Sequence, residues 1–193
     1  MSASPTPPLV SIDDYLAGEL ASDVKHEYLG GVVYAMAGAK IIHNRVAGNF
    51  SISLGSRLRG HPCEPFNSDT KVRVLMSSHT RFYYPDGIVV CDSNPPDQTF
   101  QDRPVVVAEV LSDSTRRLDE GEKREAYFTI PTLRVYLLIE TDCPRVVAWR
   151  RGDQGFSAEL YEGLESVIEL PEIETKLPLA ELYERVEFAG EGA

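Results

Sequence analysis

Apolar residues recur along this chain at two periods. Ile42, Val46, Phe50, Leu54 and Leu58 fall every four residues, which predicts one long amphipathic helix, and Gly60 supplies its stop. Earlier, Ser11 followed by Ile12-Asp13-Asp14-Tyr15-Leu16 predicts a short capped helix, and His26 to Ala37 predicts a hairpin that turns at Gly30-Gly31. After the long helix the runs become short and β-branched. Arg81 to Cys91, Pro104 to Leu111, Val135 to Glu140 and Arg145 to Arg150 predict strands, and Gly152 to Gly163 a further hairpin. Leu177 to Val186 closes the pattern with a short amphipathic segment.

Glu109 breaks this pattern. It lies inside Pro104-Val105-Val106-Val107-Ala108-Glu109-Val110-Leu111, the most apolar run of the chain, which predicts an internal strand covered on both faces. An ionised carboxylate buried there costs several kcal/mol unless it meets a cation, a metal or an open cleft. Asp86 is a second displaced acid, in Tyr84-Pro85-Asp86-Gly87, where proline and glycine mark an irregularity in a strand or its start. If the two strands are neighbours, the carboxylates converge and repel. A hard divalent cation such as Mg²⁺, which takes oxygen ligands, relieves that repulsion. Read alone, Pro-Asp-Gly is an ordinary turn, and Glu109 could answer a structural arginine.

The segment Asp119 to Phe128 predicts a helix, with Asp119 as N-cap and Glu122 completing a capping box. Lys123, Ala126 and Tyr127 then share the inward stripe, from which the lysine reaches toward the acids, while Glu120, Arg124 and Glu125 face water.

These segments together resemble the Uma-type family, grouped with restriction endonucleases in the PD-(D/E)XK nuclease superfamily. The resemblance rests on Tyr84-Pro85-Asp86-Gly87, Val107 to Thr115, Gly121-Glu122-Lys123 with Ala126-Tyr127, and Val135 to Ile139, with Glu27 to Gly31 and His43 also fitting. It implies an α/β fold: a restriction-endonuclease-like core with a mixed central β-sheet flanked by helices, and an N-terminal β-hairpin. It further implies an endonuclease that hydrolyses nucleic-acid phosphodiesters, DNA in the first instance. Asp86, Glu109 and the Val110 carbonyl would hold Mg²⁺ or Mn²⁺, and Lys123 would complete the catalytic set. Glu27 and His43 are accessory candidates. The superfamily pattern places a lysine two residues after the third-strand acid, where this chain has Leu111, so Lys123 enters from the following helix. Restriction-like proteins also work as two-fold dimers, which makes a homodimer the expected assembly.

Composition bounds this reading. The chain has 193 residues, 42% of them hydrophobic and 25% charged, which suits one domain over 9–188 preceded by a flexible arm over 1–8. No apolar stretch is long enough for a membrane, and no signal-peptide pattern opens the sequence, so a cytoplasmic protein is expected. Cys63, Cys91 and Cys143 are scattered and are expected to be reduced thiols. Nineteen lysines and arginines against thirty acids leave a formal charge of −11, which opposes polyanion binding except through a local patch. Lys71 and Arg73 on one strand face, Arg45, Arg57 and Arg59 on the long helix, and Arg116, Arg117 and Arg124 near the acids are its candidates. A nucleic-acid-binding or regulatory protein that does not cut, and a hydrolase of another phosphate ester, are the alternatives.

Overall fold

The computed structural model describes residues 9–188, and the arm expected over 1–8 lies outside them. Helix α1 (Ile12–Ala21) begins as expected: the Ser11 hydroxyl accepts the Asp14 amide at 3.1 Å and donates to the Asp14 carboxylate at 2.7 Å. Strands β1 (His26–Leu29) and β2 (Val32–Ala35) form the hairpin, with Leu29 opposite Val32. Its two-residue turn requires positive φ at both positions, which Gly30 (59°) and Gly31 (104°) adopt without strain. The four-residue apolar period becomes α2 (Ile41–Arg57), which buries Val46, Phe50 and Leu54; Leu58, just past its end, is also buried.

The strands that follow divide between two sheets, where one was expected. They are β3 (Glu64–Asn67), β4 (Lys71–Leu75), β5 (Thr80–Tyr83), β6 (Gly87–Val90), β7 (Phe100–Gln101), β8 (Pro104–Val110), β9 (Val135–Ile139), β10 (Arg145–Gly152) and β11 (Gly155–Glu162). The first sheet has the order β2-β1-β5-β4-β7, and the second β11-β10-β9-β8-β6-β3. The chain crosses between them at Tyr84-Pro85-Asp86. Pro85 has no N–H for a ladder, so β5 ends before it and β6 starts at Gly87 in the other sheet. Strand β11 pairs back along β10, so the predicted late hairpin is longer and begins earlier than the glycines suggested. A small pair, β12 (Val167–Leu170) and β13 (Thr175–Pro178), and the helical turn α5 (Leu179–Leu182) complete the fold.

In the second sheet β8 is internal, antiparallel to β6 and parallel to β9. A parallel pair needs a crossover, and here α3 (Arg116–Leu118), a π-helical turn (Asp119–Lys123) and α4 (Arg124–Phe128) run on to make it. Alternation along β8 then sorts its side chains. Val106, Ala108 and Val110 join the core under α2, whereas Val107 and Leu111 join the one with Ala126, Tyr127 and Tyr136. The molecule is a mixed α/β fold with a mixed central sheet, flanking helices and an N-terminal hairpin.

The cysteine expectation is corrected: Cys63 and Cys91 form a disulfide, and Cys143 is free. Antiparallel pairing of β3 with β6 sets Glu64 opposite Val90, which brings the flanking cysteines face to face although 28 residues separate them.

Candidate functional site

Glu109 meets a cation and a hydroxyl. It is 3% exposed, its Oε1 lies 3.4 Å from Lys123 Nζ, and the Tyr127 hydroxyl donates to the same oxygen at 3.1 Å. Lys123 and Tyr127 occupy the inward helical stripe predicted for them. The Lys123 ammonium also lies 3.0 Å from Glu27 Oε1, and 3.5 Å from Asp119 Oδ1. Glu27 comes from the first sheet and Glu109 from the second, so one buried lysine links both.

Asp86 is fixed beside this cluster. Its Oδ2 accepts the Val110 backbone N–H at 2.7 Å, which anchors it to the residue next to Glu109, and His43 Nε2 is 3.3 Å away. Gly87 makes this placement possible: a Cβ there would come within 2.4 Å of the Phe50 ring, so only glycine lets α2 lie close enough to bring His43 over Asp86. Asp86 and Lys123 are not paired with each other among the described residues. The six sequence candidates thus gather in two adjoining groups, Glu27-Glu109-Lys123 and Asp86-His43-Val110.

Asp119 is the residue that sequence reasoning misplaced. The helix starts before it, its N–H bonds back to Thr115 O at 3.0 Å, and it is 2% exposed within the π-helical turn, so it caps nothing. Its Oδ1 has Lys123 nearby but no hydrogen-bond partner. Such π-turns occur frequently at functional sites, and the signal available in the sequence was the spacing Asp119, Lys123, Tyr127, all on one face. Glu122, the supposed partner in the capping box, instead pairs with Arg81 at 2.8 Å.

Three carboxylates around one ammonium leave an excess of buried negative charge. Burial pushes the Glu109 carboxyl well above its ordinary value, Lys123 opposes the rise, and Asp119, Asp86 and Glu27 add to it. Asp119 is raised by burial in the same way. Burial alone would lower Lys123, but Glu109, Glu27 and Asp119 outweigh it and keep the ammonium charged. For His43, the lowering by burial is overcome by the hydrogen bond to Asp86 and by its charge.

The expected cationic patch does not form as read. Lys71 is buried and donates to the Tyr84 hydroxyl at 3.1 Å. Arg73 grips Asp102 with two bonds of 2.7 Å, Arg57 grips Glu181 with two of 2.6 Å, and Arg116 clamps Glu140. Arg124 stacks over Trp149, 4.8 Å from the ring centroid. The thirty acids of the chain claim most of its guanidinium groups.

The fold is shared with a protein of solved structure. A crystal structure of "a putative nuclease belonging to DUF820" from Anabaena variabilis superposes with a TM-score of 0.70 over 90% of this chain and 97% of its own, at 14% identity. Residues 12–180 match the Uma2 family, described as "Putative restriction endonuclease", and the chain belongs to that family. Two uncharacterized proteins of Synechocystis sp. are similar in sequence: one is 34% identical over 149 residues, 77% of either chain, and the other 32% identical over 153, 77% of this chain and 85% of its own. No helix among the described residues is long and apolar enough to cross a membrane.

Proposed function

We propose that the protein is a divalent-metal-dependent endonuclease of nucleic-acid phosphodiesters, with DNA as the first substrate to test. The observation that carries this reading is Glu109, a carboxylate held in an apolar strand one residue from the Asp86 anchor, with more acids than cations around it. The donor chemistry fits Mg²⁺ or Mn²⁺. These ions take one or two protein carboxylates and complete their shell with water and phosphate oxygens, so the lack of three preconverged side-chain ligands among the described residues is no obstacle. Asp86 and Glu109, with the Val110 carbonyl, would hold the ion.

When bound, the ion would polarise the scissile phosphate and lower the pKa of a coordinated water. Lys123 would hold an attacking water and offset the charge growing on the phosphate oxygens, and Tyr127 would fix the Glu109 carboxylate that shares it. Glu27 keeps the lysine between the two sheets, and His43 orients Asp86. Asp119 joins this set as a further acid on Lys123. The reading includes a cytoplasmic homodimer; sedimentation of the purified protein tests the dimer, and cell fractionation its location. In a reducing compartment the Cys63–Cys91 bridge would open, which thiol labelling in cells reads out.

Cleavage of supercoiled plasmid and single-stranded DNA with Mg²⁺ or Mn²⁺ tests the proposal, comparing native protein with folded Asp86→Ala, Glu109→Ala and Lys123→Ala. Metal-dependent cutting by native protein, lost in all three, is the expected result. A second reading, a nucleic-acid-binding or regulatory protein that does not cut, draws on the internal engagement of the acids by Lys123 and the Val110 amide. Absence of cutting with retained binding would favour it.

A further inference from the structure

Each of the two larger sheets has two edges, and three of these four are short. Strand β7 has two residues, β2 and β3 have four each, and β3 also carries Pro65. Short edges and proline are among the devices that keep a sheet from pairing with another chain. Strand β11 is the fourth edge and uses neither. Gly155–Glu162 runs eight residues in unbroken register with β10, contains no proline, lysine or arginine, and leaves Leu160 58% exposed.

The ladder shows which backbone groups of β11 are free. The Gly163 N–H donates to the Pro144 carbonyl at 2.9 Å, and bonded pairs in an antiparallel ladder recur every second residue, so the odd-numbered residues of β11 bond to β10. The N–H and C=O groups of Phe156, Ala158, Leu160 and Glu162 therefore point away from the sheet. The Ser166 hydroxyl caps the Glu162 carbonyl. Phe156, Ala158 and Leu160 have no backbone partner on that side among the described residues.

This row is complementary to itself. An antiparallel copy centred on Ala158 sets Phe156 opposite Leu160 of the partner subunit, and Leu160 opposite the partner's Phe156, so all three free residues are paired. The same register sets Glu159 opposite a serine and Glu162 opposite a glutamine, whereas centring one residue later would set Glu159 against its own copy. Within the chain, Arg150 and Arg145 already hold these two acids, at 3.3 and 2.8 Å. A chain of net charge −11 joins its own copy only where acids do not meet, and this edge satisfies that condition. An unrelated partner would need the free edge but not the symmetry.

We infer that two copies of this chain join through β11, about a two-fold axis at Ala158, into one continuous sheet. The inference names the surface of the homodimer in the proposed function and rests on that part of it alone, not on cleavage. Asp86 and Glu109 lie beyond β9 and β10 from this edge, so the join leaves both sites uncovered. A ladder of this length sits at the small end of specific interfaces, about 1,200 Å² or less, so the dimer is expected to dissociate in the micromolar range.

Sedimentation velocity across a micromolar concentration series, without metal or nucleic acid, tests it. Native protein is expected to pass from monomer to dimer. Ala158→Pro removes an outward N–H and keeps the ladder to β10, because an edge proline is tolerated where its nitrogen faces solvent. It should raise the dimer dissociation constant roughly ten-fold or more, through backbone bonds lost on both sides of the axis. Leu160→Lys changes an exposed side chain to the residue that blunts natural edges and should act in the same direction, which keeps the test valid if Ala158→Pro fails to fold. Leu20→Lys changes an equally exposed leucine on α1 and should dimerise as native. A native protein that stays monomeric throughout, or native-like dimerisation by every folded β11 variant, overturns the inference. Plasmid cleavage is read separately. Dimerisation weakened by the β11 variants supports this edge even if native protein never cuts, and cutting by a protein that stays monomeric overturns the edge and leaves the nuclease reading standing.

Discussion

Strand β8 presents two faces that obey different rules. Toward α2 it shows Val106, Ala108 and Val110, packed with Val46, Phe50 and Leu54 in a face with no ionisable group from the strand. Toward α3 and α4 it shows Val107, Glu109 and Leu111, and the helices answer with Lys123, Tyr127 and the buried Asp119. Both faces are equally dry, so burial does not distinguish them. The first face could be rebuilt from any well-packed apolar set, whereas the second maintains a charge arrangement that an apolar set of the same shape would make unnecessary.

The comparison can be broken most severely at the lysine. Lys123→Met removes the cation shared by Glu27, Glu109 and Asp119, leaving buried carboxylates uncompensated, and should lower stability by about 3–5 kcal/mol in urea unfolding at neutral pH. On the apolar face, Phe50→Ala should cost about 3 kcal/mol or somewhat more through the cavity it leaves, and that cost should be independent of pH. Gly87→Ala brings a methyl against the Phe50 ring and should cost about 1–3 kcal/mol; combining it with Phe50→Ala should recover part of that loss, because the clash disappears. Equal costs in the single and combined backgrounds would refute the contact.

The smallest effect lies at the surface. The hydrogen bond from Arg57, helped by Ser53, holds the Glu181 carboxyl down at about 2 from its ordinary 4.5. A lowered folded-state value means that this pair stabilises the protein above about pH 4.5 and loses its contribution as pH falls toward 2. Glu181 is 44% exposed, so screening keeps the contribution below about 1 kcal/mol. Thermal melts of Glu181→Gln should converge with native melts at low pH and fall slightly below them at neutral pH.

The parts of this architecture set by local pattern were legible in the sequence. The four-residue period predicted α2, the paired glycines predicted the hairpin, and the acid in an apolar run drew attention to Glu109 before any geometry was known. The inward stripe likewise placed Lys123 and Tyr127. What remained hidden depends on contacts between distant segments. Asp119 followed by Glu122 imitates a capping box, and only the crossover to β9 shows that the helix starts earlier and turns Asp119 inward. The Cys63–Cys91 bridge follows from the register of β3 against β6, which no cysteine spacing encodes. Lys71 and Arg73 alternate like a binding face, yet Tyr84 and Asp102, in the segments just after β5 and β7, claim them. Division into two sheets turned on Pro85, whose missing N–H was visible but whose consequence was tertiary.

The most direct test of the central claim replaces the acid by what its neighbours would accept. Glu109→Leu extends the apolar pattern of β8 and leaves Lys123 with Glu27 and Asp119 as partners. Single-turnover cleavage with Mn²⁺ and urea unfolding should be measured on the same preparation. Loss of cleavage with stability unchanged or raised is the predicted result. Retained cleavage with a large loss of stability would show Glu109 to be a structural counter-ion and would contradict the proposal.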